Sequence, residues 1–97
     1  MIKKRPLFKF RLYVAGDAPN SVQARANLQA FCQLYLPDRY EIETVDVFKE
    51  PRRALADGIF MTATLVKLAP SPVRTIVGTL SQTPIVLTTL GLDSLAT

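Results

Sequence analysis

The stretch Tyr13 to Ala24, YVAGDAPNSVQA, passes from an apolar strand through a Gly/Pro turn into a helix. A dithiol oxidoreductase places two cysteines, separated by two residues, at such a turn, where a low-pKa thiolate and a resolving thiol can exchange. Ala18 and Ser21 hold those places here. The single cysteine, Cys32, falls on the apolar stripe of the following helix, where a thiol packs rather than attacks. Thiol redox catalysis is therefore excluded. The chain contains no histidine, which removes every mechanism built on an imidazole base, acid or metal ligand. One cysteine also leaves neither an internal disulfide nor a Cys-rich zinc site.

The remaining candidates are carboxylates and glycines. Asp17 could act as a general acid, but an aspartate in a turn more commonly accepts hydrogen bonds from nearby backbone amides. Glu41, Glu43 and Asp46 could bind a hard cation, yet charges alternating along a strand ordinarily form its solvated face. Gly16, Gly58, Gly78 and Gly91 are isolated, so no phosphate-cradling loop is present and nucleotide chemistry must reside in a partner. The reading is a protein without catalytic, cofactor-binding or metal-ligating residues. A nucleic-acid function would rest on Lys3, Lys4, Arg5, Lys9 and Arg11 interleaved with Phe8, Phe10 and Tyr13. Alternation instead turns Phe8 and Phe10 into the core and the charges outward, so no nucleic-acid partner is expected.

The elements that must position these residues are small. At 97 residues the chain is read as one domain, residues 1–97, enough for a single core. An unpaired cysteine and no signal peptide point to a reducing, cytoplasmic setting. No apolar run approaches the roughly 20 residues that cross a bilayer, and no membrane partner is expected. The net charge of +4 is uneven: residues 1–53 carry ten of the twelve basic side chains, whereas residues 54–97 hold only Lys67, Arg74, Asp57 and Asp93. So little polar surface in the second half suits either the core side of a small domain or self-association as a dimer or tetramer.

Leu7 to Ala15 alternates Phe8, Phe10, Leu12 and Val14 against Lys9, Arg11 and Tyr13, which predicts a strand. After the turn at Gly16 to Pro19, Asn20 or Ser21 can cap a helix. Its stripe is Ala24, Leu28, Phe31, Cys32 and Tyr35, and Pro37 stops it. Tyr40 to Phe48 alternates again, and the three elements form a right-handed βαβ unit with parallel strands. Glu50 to Asp57, with Pro51 at the first helical position, predicts a short helix ended by Gly58. Thr64 to Leu68 and Val73 to Val77 form an antiparallel hairpin through Ala69, Pro70, Ser71 and Pro72. Ser81 can cap a last helix that the β-branched Ile85, Val86, Thr88 and Thr89 weaken. The order strand, helix, strand, helix, strand, strand, helix is that of a thioredoxin-like α/β fold.

Four segments, in order, add a specific resemblance: YVAGDAPNS from Tyr13, VDVFKEP from Val45, MTATLVK from Met61 and PVRTIVGTLS from Pro72. Together they resemble the KaiB family of circadian-clock proteins, over most of the chain from Phe8 to Ser81. The resemblance implies a cytoplasmic adaptor that binds a KaiC-like hexameric ATPase, and other clock components, and modulates its phosphorylation and ATPase cycle. It also implies interconversion between a self-associated fold and a thioredoxin-like one, with an alternative arrangement of the C-terminal half. Ala63 stands where the family carries a proline, the hairpin turn holds Pro70 and Pro72, and Gly91 belongs to a GLD triplet; these four are the expected fold-switch determinants. In the thioredoxin-like form, Tyr40, Ile42, Thr44 and Asp46 are expected on an edge strand open to strand addition. Arg25 and Gln29 would flank it on the first helix. The alternatives are a homo-oligomeric, stress-related or chaperone-like protein using the charge-poor half, and the nucleic-acid binder.

Overall fold

The computed structural model describes residues 7–92. The basic cluster Lys3, Lys4 and Arg5, and Asp93 of the GLD triplet, lie outside the described residues. Seven elements follow the predicted order: β1 (Phe8–Val14), α1 (Pro19–Tyr35), β2 (Tyr40–Asp46), α2 (Pro51–Ala56), β3 (Thr64–Ala69), β4 (Arg74–Val77) and α3 (Thr83–Thr89). They build one four-stranded sheet in the order β2-β1-β3-β4. β1 and β2 are parallel, with Phe8 opposite Tyr40 and Val14 opposite Asp46. β3 runs antiparallel to both β1 and β4.

Alternation along β1 decides how the sheet is covered. Phe8, Phe10, Leu12 and Val14 are buried in one cluster with Ala24, Leu28, Phe31 and Cys32 of α1 and with Val86 and Leu87 of α3. The α1 stripe thus lies where the 3.6-residue period puts it, and Tyr35 packs at its margin. The opposite face holds a smaller cluster of Tyr13, Val45 and Ala54, covered by α2. Tyr13 departs from the simple in/out pattern, in which it counted with the polar side of β1: it is completely buried. A central strand is covered on both faces, so its second face also takes an apolar body, and the phenol supplies the polar tip.

The helix starts also differ from expectation. α1 begins at Pro19 with Ala18 at its N-cap and without a side-chain cap. Neither Asn20 nor Ser21 caps it, because proline at the first helical position presets the helical φ and needs no amide partner. Ser21 lies inside the first turn, where its hydroxyl accepts from the Ala15 N–H at 2.9 Å and ties the turn to the helix. α3 begins at Thr83 behind Gln82, again without a side-chain cap. Ser81 instead accepts from the Thr79 hydroxyl at 3.0 Å.

α2 is fixed by the Tyr13, Val45 and Ala54 cluster and by a fringe of charge. The Tyr13 hydroxyl donates to Asp57. Arg11 donates to Glu43 at 2.8 Å and to Asp57 at 3.3 Å, and Arg53 donates to the same Glu43 oxygen at 2.6 Å. Two guanidiniums on one carboxylate, Arg53 first and Arg11 second, hold Glu43 below its ordinary pKa. Burial, then the bond to Asp57, raises that of Tyr13. The fringe is solvated and each exposed pair contributes little, so apolar burial does most of the docking.

Two predictions follow from this packing. Cys32 is fully buried, and burial pushes its thiol up to about 12, so the thiolate is scarce at neutral pH. Ellman's reagent should leave the native protein unmodified over a time in which the guanidinium-unfolded chain reacts completely, and insulin reduction by dithiothreitol should not accelerate. Rapid native labelling would contradict the packing. For Glu43, a folded-state pKa lowered from 4.5 contributes stability above the ordinary value and loses it as pH falls through the lowered one. Urea midpoints of the wild type and Glu43→Gln should differ slightly at pH 7 and converge below pH 4.5; a gap that persists in acid would assign the effect to something other than charge.

Candidate partner-binding edge

β2 is an edge strand. In a parallel pair, alternate residues turn both backbone groups toward the neighbouring strand. Phe8 N–H donates to the Arg39 carbonyl at 2.8 Å and Val47 N–H donates to the Val14 carbonyl at 2.9 Å. Odd-numbered residues of this segment therefore serve the ladder with β1, and Tyr40, Ile42 and Thr44 turn their amides and carbonyls outward; the Asp46 carbonyl accepts from the Lys49 and Glu50 N–H groups at 3.0 and 2.9 Å and closes the following turn. Of the four positions expected on the edge, Tyr40, Ile42 and Thr44 carry both backbone groups on the side away from β1, whereas the Asp46 carbonyl is taken up by the turn.

Their side chains do different work. Opposite Phe8, Phe10, Leu12 and Val14, they share the α1 face of the sheet. Tyr40 and Ile42 pack against the main core, so they are part of the fold as much as of the edge. Thr44 is exposed. Asp46 accepts from the Phe48 N–H at 2.9 Å and the Gly16 N–H at 3.3 Å. The turn role expected of Asp17 thus belongs to Asp46, because the end of β2 lies beside the β1–α1 turn while Asp17 points to solvent, 96% exposed. Gly16 itself has φ +52° with the Phe48 ring beside it, a backbone conformation that suits glycine.

Arg25 and Gln29 flank the strand as expected. Gln29 donates to the Tyr40 hydroxyl at 3.3 Å, and Arg25 donates to the Gly16 carbonyl at 2.9 Å with Asp17 at 3.9 Å. At the C-terminal end of β2, Asp17, Arg25, Thr44, Asp46, Lys49 and Glu50 line one shallow depression. Mixed charge on an open edge suits recognition of another polypeptide. Among the described residues no three acidic, cysteine or histidine side chains gather as metal ligands would. Phe8, Phe10 and Tyr13 are all buried, so β1 offers no aromatic platform to bases.

The four expected fold-switch positions are not brought together. Ala63 is fully buried, its carbonyl accepts from the Gly78 N–H at 2.9 Å, and the Thr62–Ala63 peptide bond is cis. Pro70 and Pro72 lie in the β3–β4 turn at the other end of the strand, each after a cis bond. Gly91 follows α3 with φ +75°. Two features escaped the sequence reading. The Arg11, Tyr13, Glu43, Arg53 and Asp57 fringe joins residues distant in the chain, and no local pattern announces it. Lys67 is 4% exposed, and the alternation Ala63, Leu65, Lys67 in MTATLVK could have placed it on the core face.

Comparison with known proteins agrees with this architecture. The KaiB domain profile matches residues 11–92. The circadian clock protein KaiB3 of Synechocystis sp. is 45% identical over 83 residues, covering 86% of this chain and 79% of that protein. The circadian clock oscillator protein KaiB of Nostoc punctiforme is 42% identical over 95 residues, covering 98% and 89%. Among solved structures, chloroplastic thioredoxin z matches with a TM-score of 0.75 at 15% identity, covering 93% of this chain and 81% of that one. The N-terminal domain of Synechococcus elongatus SasA matches with a TM-score of 0.68 at 17% identity, covering 98% and 85%. At such low identity these structures speak for the thioredoxin-like fold alone. A domain match over most of the chain and relatives at 42–45% identity establish the rest: the chain belongs to the KaiB family.

Proposed function

We propose that this protein is a non-catalytic clock adaptor that binds a KaiC-like hexameric ATPase and modulates its cycle. The observation that carries the reading is the β2 edge, where Tyr40, Ile42 and Thr44 turn backbone groups away from β1, with the Asp46 side chain at the end of the strand and Arg25 and Gln29 of α1 beside it. A partner segment adding to this edge gains main-chain hydrogen bonds, and the charged depression at its end selects among segments. Its relatives are circadian clock proteins, which favours a clock ATPase over other polypeptides. The chain acts as a cytoplasmic unit comprising residues 1–97. Interconversion with a second fold would involve the C-terminal half, with Ala63, Pro70, Pro72 and Gly91 setting the balance.

A homo-oligomeric role is the second reading, favoured by the apolar exposure of the charge-poor half. Phe60 is 85% exposed, Leu55 68% and Met61 63%, and such surface is ordinarily covered by a partner or a second copy.

Size-exclusion chromatography of the protein alone, and with the KaiC-like hexamer from the same genome in ATP and in ADP, separates the two readings. Co-elution with the hexamer in at least one nucleotide is the expected result. Elution alone as a dimer or tetramer, with no hexamer binding in either nucleotide, would replace the adaptor by the oligomer. Thr44→Pro tests the edge directly, because it deletes an outward donor and leaves the β1 ladder intact. Affinity should fall roughly three- to tenfold, as loss of one hydrogen bond implies, with an unchanged circular dichroism spectrum. Undiminished binding by the folded variant would move the interface away from β2.

A further inference from the structure

The net charge of +4 is not spread evenly over the fold. From the middle of β1 to its C-terminal end, and over α1 and α2, Arg11, Arg25, Lys49, Arg52 and Arg53 are matched by Asp17, Glu43, Asp46, Glu50 and Asp57. Arg11, Arg25 and Arg53 are paired with carboxylates directly. The excess lies where β1 begins. β1 and β2 start at that end of the sheet, β3 finishes there and β4 starts there. Among the described residues this end holds Lys9, Arg39, Lys67 and Arg74 against Asp38 and Glu41, and Lys3, Lys4 and Arg5 precede it in the sequence. Lys67 is buried, whereas Lys9 and Arg74 are exposed. Among the described residues Lys9, Arg39 and Arg74 form no ion pair.

The same end carries apolar side chains in the open: Leu7 is 41% exposed, Leu68 36% and Val73 57%. Lys9 faces Ala69 across the β1–β3 ladder, and Lys67 faces Arg74 across the hairpin. Leu68 and Val73 therefore stand one step beyond those two cations, at the base of the turn, and Leu68 lines a shallow depression with Lys9 and Glu41. Between Lys67 and Arg74, residues 68–73 include no charged side chain, and Pro70 and Pro72 restrict the backbone. The result is an apolar tip with cations around it.

That combination discriminates among anionic partners. Single-stranded nucleic acid is held by exposed aromatic faces as well as cations, and Phe8, Phe10 and Tyr13 are buried. An acidic polypeptide would use the cations and leave the uncharged tip idle. An anionic bilayer uses both, because apolar side chains enter the acyl boundary while ammonium and guanidinium groups stay at the phosphates. No helix among the described residues is long and apolar enough to cross a membrane, so the contact is peripheral. We propose that this end of the sheet docks on an anionic lipid surface, with residues 68–73 entering the interface and Lys9, Arg39 and Arg74 meeting the headgroup phosphates. Neither signal alone anchors a protein stably; the two together do. The proposal does not depend on which polypeptide the β2 edge binds.

Co-sedimentation of the full chain with vesicles of phosphatidylcholine and phosphatidylglycerol tests it. Binding is expected at low salt and should weaken as salt screens the charges, while vesicles of phosphatidylcholine alone should retain little protein. Arg74→Gln should weaken binding roughly fivefold, the share of one cation near an anionic leaflet. Val73→Gln should weaken it roughly fivefold or more, through lost apolar burial, and leave its salt dependence unchanged. Both side chains are exposed, so the circular dichroism spectrum should not change. Absence of binding to the mixed vesicles, equal binding to phosphatidylcholine alone, or undiminished binding by folded Val73→Gln would overturn the proposal. Tighter capture by polyglutamate or by a single-stranded oligonucleotide than by the mixed vesicles would also overturn it, by assigning the cations to a soluble polyanion.

Discussion

Strand β1 is hydrogen-bonded on both sides and packed on both faces, and the rest of the molecule follows from that double burial. A strand so placed needs a neighbour at each edge, supplied by β2 and β3, and cover above and below, supplied by α1 with α3 and by α2. Seven residues from Phe8 to Val14 thereby organise both buried clusters of the molecule. With one more strand, β4, beyond β3, the sheet still has two open edges. The edge at β2 is the one beside the long helix and the charged turn, where backbone groups and charged side chains lie together.

The same constraint explains how the polar groups of the strand-to-helix turn are used. Ala18 and Ser21 stand where a dithiol would, and Ser21 is engaged by the Ala15 amide. Asp46 occupies the remaining polar capacity of the turn by holding Gly16 and Phe48. Ser21 and Asp46 thus support the backbone of their neighbours, while Asp17 faces solvent near Arg25. What the turn contributes is shape, fixing Arg25 and the end of β2 relative to each other.

Legibility from the sequence followed the range of each interaction. Periodicity identified both faces of β1 and the stripe of α1, because burial there repeats at the period of the element. It misjudged Tyr13, whose burial depends on α2, a helix encoded more than thirty residues later. Ser21 and Ser81 are good caps by type, yet Pro19 and Pro84 set the helix starts and left both serines to other bonds. The edge strand was legible as an element, and the outward parity of Thr44 needed the register with β1. The linked segments of the family resemblance were legible because they are local strings; the Glu43 fringe and the place of Lys67 were not, because each is assembled by the sheet.

Element length divides the molecule into two mechanical parts. The first part is β1, α1 and β2, with a 17-residue helix buried along its stripe from Ala24 to Cys32 and a parallel ladder of seven facing pairs. The second part is made of short pieces: α2 of six residues, β4 of four and α3 of seven, joined by turns rich in proline and glycine. Cooperative stability grows with the number of contacts an element makes at once, so the first part holds its shape while the second can rearrange at smaller cost. The candidate binding edge lies entirely on the first part. Ala63, Pro70, Pro72 and Gly91 lie in the turns of the second. β2 and the long helix beside it thereby lie on one side of β1, and β3 and β4 with their short turns on the other, so that the two sides of the sheet are stabilised by different elements.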